Sequence, residues 1–298
     1  MDEMIPRARR DLDLFPIQHE GKQAVLVRDP LGLVREGTAL PLPVYRLFAM
    51  LDGTTRVQDL QVALMQQQGG LLVGRTEVEG LLGELDRLYL LESRRFRNAK
   101  GRLIQEFVSS ELRPASQAGR SYPDSPEELT SRLEDILQAG KDAQVPAGNV
   151  RALVAPHIDL SVGQKVYASA YRSLRNASPS TIVVLGVGHY MAEGLFSLTP
   201  KTFQTPLGEV KTERELFERL REKGGRAVAG NDFAHRSEHS IEFQVLFLQH
   251  LFPHARFTIL PILCGSPQVC LPHCTREDYL EKAGGFIEEL RRVLGEKS

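Results

Sequence analysis

Four residues stand where chemistry could begin: His157, His189, Glu238 and His239. His189 closes "STIVVLGVGHY", where an apolar run from Ile182 to Leu185 meets two glycines, the pattern of a buried strand entering a tight turn. His157 closes a second apolar run, "NVRALVAPHIDL", with Asp159 two residues beyond it. Imidazoles at the ends of successive strands could share a metal ion, since imidazole is the commonest nitrogen ligand. They could equally be hydrogen-bonded structural residues. In "RSEHSIEFQVLFLQHLF", Ser237 is placed to cap a helix whose Ile241, Val245 and Leu248 face a core. His239 then lies in the first turn, where the helix dipole disfavours the imidazolium and leaves the ring ready to take a proton or bind metal. Glu238 partly offsets that field, and both residues could also be plain exposed first-turn positions.

These positions need a scaffold. A third apolar run, "RFTILPILCG", closes on Cys264, and helical sequence such as "VGQKVYASAYRSL" separates the runs. Alternation of strand and helix argues for an α/β domain with a largely parallel sheet and flanking helices. In such sheets ligands bind beyond the carboxyl ends of the strands, so His157 and His189 would face one crevice. Upstream, "LRPASQAGRSYPDSPEEL" reads as extended or looped. A helix follows from Pro126 to about Ala139, with Ser125 as N-cap and Leu129, Leu133, Ile136 and Leu137 on one face.

The first 108 residues read as a separate module, with 109–298 as the α/β domain. "FPIQHEGKQAVLVRDPLG" is a hairpin turning near Glu20-Gly21. Three short helices follow: one over "PLPVYRLFAM", one over "TRVQDLQVALMQQ", and one opened by a Thr76–Glu79 capping box with Val78, Leu81, Leu82, Leu85 and Leu88 as its stripe. "YLLESRRF" reads as a closing strand, which makes a small winged-helix pattern. The third helix carries Glu77, Glu79, Glu84 and Asp86 against Arg87, and phosphate repulsion argues against DNA binding.

Composition narrows the class further. Hydrophobic residues at 42% and charged residues at 25% are those of a globular protein, and a net charge of −1 leaves no footprint for nucleic acid or an anionic membrane. No apolar run nears the roughly 18 residues that span a bilayer, and the charged start has no apolar leader core. Cys264, Cys270 and Cys274 are odd in number and clustered, which argues against a disulfide framework and for a reducing, cytoplasmic setting.

Taken together, "RPASQAGRSYP", "APHIDL", "VVLGVGHY", "FSLTPKTFQTPLGEVKTERELFERL" and "EHSIEFQVLFLQ" resemble the Memo family, over about Glu111 to Leu290. "LFAMLDGTTRVQDLQVAL" and "VEGLLGELDRLYLLE" resemble the PqqD-like peptide-recognition fold. That pairing looks like the B component of the AmmeMemoRadiSam system. The resemblance implies a fold related to class III extradiol dioxygenases, non-haem iron or copper as metal, His157 and His189 as ligands, and His239 as acid/base. It also implies radical-SAM and AMMECR-like partners, with a peptide at the N-terminal module. In the family a later strand supplies the third ligand from a D-x-x-H or D-F-C-H motif. This chain ends in the helical "GGFIEELRRVLGEKS" before such a strand, and no such motif is read in it, so the last quarter to third of the domain is expected to be missing.

Cys264 could substitute as a thiolate ligand or be a buried hydrophobe. Cys270, His273 and Cys274 form half a zinc knuckle or a loop. The expected function is a metal-dependent redox enzyme in which His239 and Glu238 handle protons. The alternatives are a non-catalytic peptide- or ligand-binding partner of a radical-SAM protein, and metal-free hydrolysis through His239 and Glu238.

Overall fold

The apolar runs Leu14–Ile17 and Ala24–Val27 build an antiparallel hairpin, β1 (Asp13–His19) with β2 (Lys22–Arg28), in which Val25 and Val27, two residues apart on one face of β2, are buried. Gly21 makes the turn at φ +74°, a conformation costly for other residues, while Glu20 lies outside the described residues. The computed structural model describes residues 5–19, 21–140, 150–253, 257–270, 273 and 275–296, and divides the chain into Met1–Glu106 and Phe107–Ser298.

In the first unit β3 (Ala39–Pro41) pairs with β2, and α1 (Leu42–Met50), α2 (Val57–Gln67) and α3 (Arg75–Arg87) follow. Leu47, Phe48, Leu51, Leu60, Val78 and Leu85 are buried in one core. Arg9, fully buried, forks onto Asp29 at 2.6 and 3.0 Å, and Asp29 also accepts the Leu31, Leu33 and Val34 N–H groups.

Two local readings are corrected in this unit. The cap of α3 is Gly74, whose N–H donates to Glu77 at 2.7 Å, so the helix starts two residues before the Thr76–Glu79 box allows. "YLLESRRF" is not a strand. Leu91 makes one bridge to Ala8, and α4 (Arg94–Ser109) begins within the stretch. Ser93 accepts the Phe96 N–H, and Phe96, Ala99 and Phe107 recur with helical rather than strand spacing.

The second unit continues with β4 (Leu112–Arg113), α5 (Pro126–Gln138) and α6 (Gln164–Arg172). Next come β5 (Thr181–Val187), β6 (Phe196–Leu198), β7 (Thr202–Thr205), β8 (Gly208–Val210) and α7 (Arg214–Gly224). Two short 3-10 turns, Gly225–Ala227 and Phe233–Arg236, lead to α8 (His239–Leu251), β9 (Thr258–Cys264), α9 (Pro267–Cys270) and α10 (Arg276–Glu296).

The α/β class holds, but the expected largely parallel sheet is replaced by two small mixed ones. β5 runs parallel to β9 from Thr181 opposite Thr258 to Val187 opposite Cys264, and β6 runs antiparallel on the other side of β9. β4 pairs parallel with β7, which pairs antiparallel with β8. "NVRALVAP" is not a strand in the described residues. An apolar run becomes one only when a neighbour takes its backbone groups, and here β5 is left at the edge of its sheet while Val154 is 96% exposed.

Helix α5 begins as read, with Ser125 accepting the Glu128 N–H and Leu129, Leu133, Ile136 and Leu137 buried. Helix α8 is the axis of the unit. Ser240 through Gln249 are all buried, so it is covered on every side rather than along one stripe. Phe247 stacks on Tyr167 at 4.9 Å and on Tyr171 at 4.5 Å between ring centres. Among the described residues no helix is long and apolar enough to cross a membrane.

Phe247→Ala would leave a void between two aromatic rings that helices cannot close. A loss of about 3–5 kcal/mol is expected in urea unfolding, against under about 1.5 kcal/mol for a volume-conserving Phe247→Leu.

Candidate functional site

The parallel β5–β9 pair ends at Val187 and Cys264, where Gly188 N–H donates to the Cys264 carbonyl at 2.9 Å. His189 is therefore delivered just past the carboxyl end of β5, where a parallel pair opens a crevice. His157 comes from the extended segment before α6, and His239 is the first residue of α8. The three imidazoles converge. Ring centres lie 5.2 Å apart for His157–His189, 5.9 Å for His157–His239 and 4.9 Å for His189–His239, the last pair nearly parallel at 16°. The space between the three rings, the hollow, is reached by solvent, with the His189 side chain 36% and His239 29% exposed.

Glu238 holds the hollow together. It is the N-cap of α8, in place of the expected Ser237, and its buried carboxylate accepts four N–H groups. Those of His239 and Ser240 donate at 2.9 and 3.0 Å, and the His189 backbone N–H and Nδ1 at 2.9 and 3.0 Å. Burial pushes this carboxyl up, but the N–H bonds from Ser240 and His189 outweigh it and hold it below the usual carboxylate range. An ionised acceptor requires Nδ1 of His189 to carry the proton, which leaves Nε2 as that ring's lone pair.

Two further bonds fasten α8 to the segments that carry the other imidazoles. Ser240 Oγ donates to the Val187 carbonyl at 2.9 Å, and Gln244 Nε2 donates to the Pro156 carbonyl, next to His157, at 3.0 Å. Burial lowers His239 from the ordinary imidazole value. Glu238 opposes that shift, and the neighbouring His189 and His157 add to it. The ring is therefore a neutral base or ligand at neutral pH.

Could these residues hold a metal? The ligand atoms of His189, Glu238 and His239 lie within 4.8 Å of one another. Glu238 is spent on four N–H donors, so imidazoles are the ligands that fit, with the carboxylate as the partner that orients one ring and balances charge. Neither His157 nor Cys264 belongs to that set: His157 approaches it through its ring centre, 5.2 and 5.9 Å from those of His189 and His239, while Cys264 is half-buried, and burial pushes its thiol up, which disfavours the thiolate. His273 is exposed, Cys270 ends α9, and Cys274 lies outside the described residues, so the zinc-knuckle reading is left without its second cysteine there.

A family model described as "Memo-like protein" matches residues 113–276, more than half of the chain. The chain belongs to the Memo-like family. A MEMO1 family protein of Aquifex aeolicus is 33% identical over 253 residues, 85% of this chain and 65% of that relative. One of Thermococcus kodakarensis is 33% identical over 62% of this chain and 61% of its own length. A memo-1 homolog of Caenorhabditis elegans is 30% identical over 61% and 50%. The chain thus spans two-thirds or less of the Memo relatives it matches.

Several residues at this Memo-family site escaped the sequence reading. Asp232-Phe233-Ala234-His235 does have the D-x-x-H spacing, contrary to the expectation that none is present. It is buried support: Asp232 accepts from Thr199 Oγ1 at 2.7 Å and pairs with Lys201, and His235 Nε2 meets the Ser197 carbonyl at 3.0 Å. Gly186 was read as turn chemistry, but it lies within β5, where a Cβ would come 2.5 Å from Ile241 and 2.7 Å from Ser240. Its signal was a glycine inside an apolar run, which marks close approach of another element as often as a turn.

Two outcomes follow from this geometry. Gly186→Ala should push α8 off β5, costing about 1–3 kcal/mol in urea unfolding and shifting the His189 and His239 ring resonances; unshifted rings would contradict the close-approach role. Burial pushes His235 down to about 3, whereas the unfolded chain titrates near 6.5. Because the folded value is depressed, stability is complete above about 6.5 and lost as pH falls from there towards about 3. Unfolding free energy should therefore drop by up to about 2 kcal/mol between pH 6.5 and 5, and His235→Gln should flatten that slope.

Proposed function

We propose that the hollow is a redox metal site of Memo type, with His157 and His189 as ligands and His239 as the group that moves a proton. The observation that carries this reading is the convergence of three imidazoles within 4.9–5.9 Å, with one ring oriented through its Nδ1 by a buried carboxylate. Non-haem iron or copper suits an imidazole set, and it would supply Lewis acidity and one-electron chemistry. Glu238 fixes the His189 tautomer so that Nε2 keeps the ring's lone pair. His239, held neutral by burial and standing beside the opening, takes a proton from a substrate hydroxyl or returns one. The apolar floor made by Phe243, 5.3 Å from the His239 ring, keeps water from one side of it.

The whole protein's setting follows the same reading: a cytoplasmic AmmeMemoRadiSam-type system with radical-SAM and AMMECR-like partners. The first unit, with its antiparallel hairpin and three helices, acts as a PqqD-like winged-helix module that docks a peptide of such a partner. A second reading is favoured by one observation. Val154, Ile158, Leu185 and Val187, on the segments that flank His157 and lead to His189, are exposed apolar residues. They suit a crevice that holds a peptide without catalysis.

Anaerobic loading with ferrous iron or cuprous copper separates the two. The redox reading expects about one metal per chain, falling at least tenfold in affinity in His157→Ala and His189→Ala, as removal of a ligand demands. A native chain that takes up neither metal, while His157→Ala weakens only partner binding, would establish the binding reading instead.

A further inference from the structure

"RPASQAGRSYP" has no part in the chemistry above, yet it converges on the helix that carries the hollow. Strand β4 delivers Arg113, and the loop after it returns through Gly119, whose N–H donates to the Tyr122 carbonyl at 2.8 Å with φ at +72°. Five donors of this stretch meet one carboxylate, that of Glu242, one turn along α8 from His239. Glu242 accepts from Arg113 Nη1, from Tyr122 OH, from Ser116 N–H at 3.0 Å and Oγ at 2.8 Å, and from Gln117 N–H at 2.9 Å. Arg113 and Glu242 are both fully buried.

The rest of the guanidinium fork is turned towards the site. Arg113 Nε donates to the His235 carbonyl at 2.9 Å and Nη2 to the Glu238 carbonyl at 2.6 Å. Phe203 lies 5.2 Å beneath its plane. One rigid planar group thus grips both ends of the turn Arg236–Ser237 and the carboxylate of the next helical turn. A buried ion pair contributes little net stability compared with apolar packing, so its worth here is geometric. The backbone it holds at Glu238 is the same residue whose side chain orients His189.

We propose that Arg113 and Glu242, with the 114–122 loop, form a positioning device for the imidazole hollow, fixing the first turn of α8 without touching any bound ligand. Burial raises the Glu242 carboxyl, but the Arg113 charge and the Tyr122 hydroxyl more than reverse this and keep it ionised. Lysine cannot replace the arginine, because a single ammonium cannot serve two carbonyls and a carboxylate in fixed directions.

The proposal rests on the metal reading only for one of its two tests. Cobalt(II) is titrated anaerobically into the full chain and into Arg113→Lys, Arg113→Met, Glu242→Gln and Tyr122→Phe. Amide hydrogen exchange is followed in the same proteins without metal. In the first three variants cobalt affinity falls about tenfold or more and the ligand-field spectrum changes. The amides of His189, His239 and Ser240 lose protection while those of Leu260 and Ile262 in β9 keep it. Tyr122→Phe, which leaves the fork intact, stays within about threefold of native affinity, a small part of that range.

Native affinity, spectrum and local protection in Arg113→Met would overturn the proposal. Protection lost equally in β9 would overturn it too, as the mark of a merely structural pair. If the native chain takes up no cobalt, the metal reading fails and the amide exchange alone decides the positioning role. Should Arg113→Met fold poorly, Ser116→Ala combined with Tyr122→Phe removes two of the donors and must give the same local pattern in smaller measure.

Discussion

A single buried carboxylate, that of Glu238, accepts four N–H groups drawn from two different elements, and the arrangement of the site depends on it. Two of those donors are orphan amides at the start of α8, which any helix must satisfy somewhere. The other two belong to His189, past the end of β5. The same atoms that cap the helix therefore set the distance from helix to strand and the rotation of one imidazole. A buried charge with fewer partners would protonate or draw water inward; four donors leave it ionised, and an ionised acceptor decides which ring nitrogen bears hydrogen.

This explains why a helix with polar residues at Glu238, Ser240, Glu242, Gln244 and Gln249 can be buried all round. Each of those side chains is matched to a partner outside the helix. Ser240 reaches the last carbonyl of β5, Glu242 the 114–122 loop, Gln244 the carbonyl before His157 and Gln249 the Thr205 hydroxyl. Apolar contacts such as the Phe247 stack supply most of the free energy, as they do in most cores. The polar bonds contribute less net stability but fix register, because an unmatched buried group costs more than a matched one returns. The site is thus assembled from elements far apart in sequence by one helix that acts as a common reference.

The sequence made part of this legible. Apolar runs closing on His189 and Cys264 became β5 and β9 because the period and the glycine that follows are local signals. The Ser125 cap of α5 was readable for the same reason. The run before His157 was not a strand, since strand formation needs a neighbour that no local pattern reports. Ser237 was read as the cap of α8 because serine caps more helices than glutamate does; Glu238 won because His189 supplies two more donors to it. The mixed character of the sheets, the helix hidden in "SRRFRNAKGRLIQEF" and the structural duty of Asp232 and His235 all depend on contacts between distant residues. Convergence of the three histidines could be proposed from order along the chain, while the loop that steadies them could be recognised only by resemblance and given a role only from its hydrogen bonds.

The most direct measurement is the tautomer of His189 in the metal-free native chain, read from imidazole nitrogen shifts by long-range proton–nitrogen correlation at pH 8. With Glu238 ionised and accepting from the ring, Nδ1 must appear protonated and Nε2 as the bare nitrogen, and the pattern must be lost in Glu238→Ala. A native His189 protonated at Nε2, or one averaging between tautomers, would contradict the account, because the carboxylate would then not be orienting the ring around which the hollow is built.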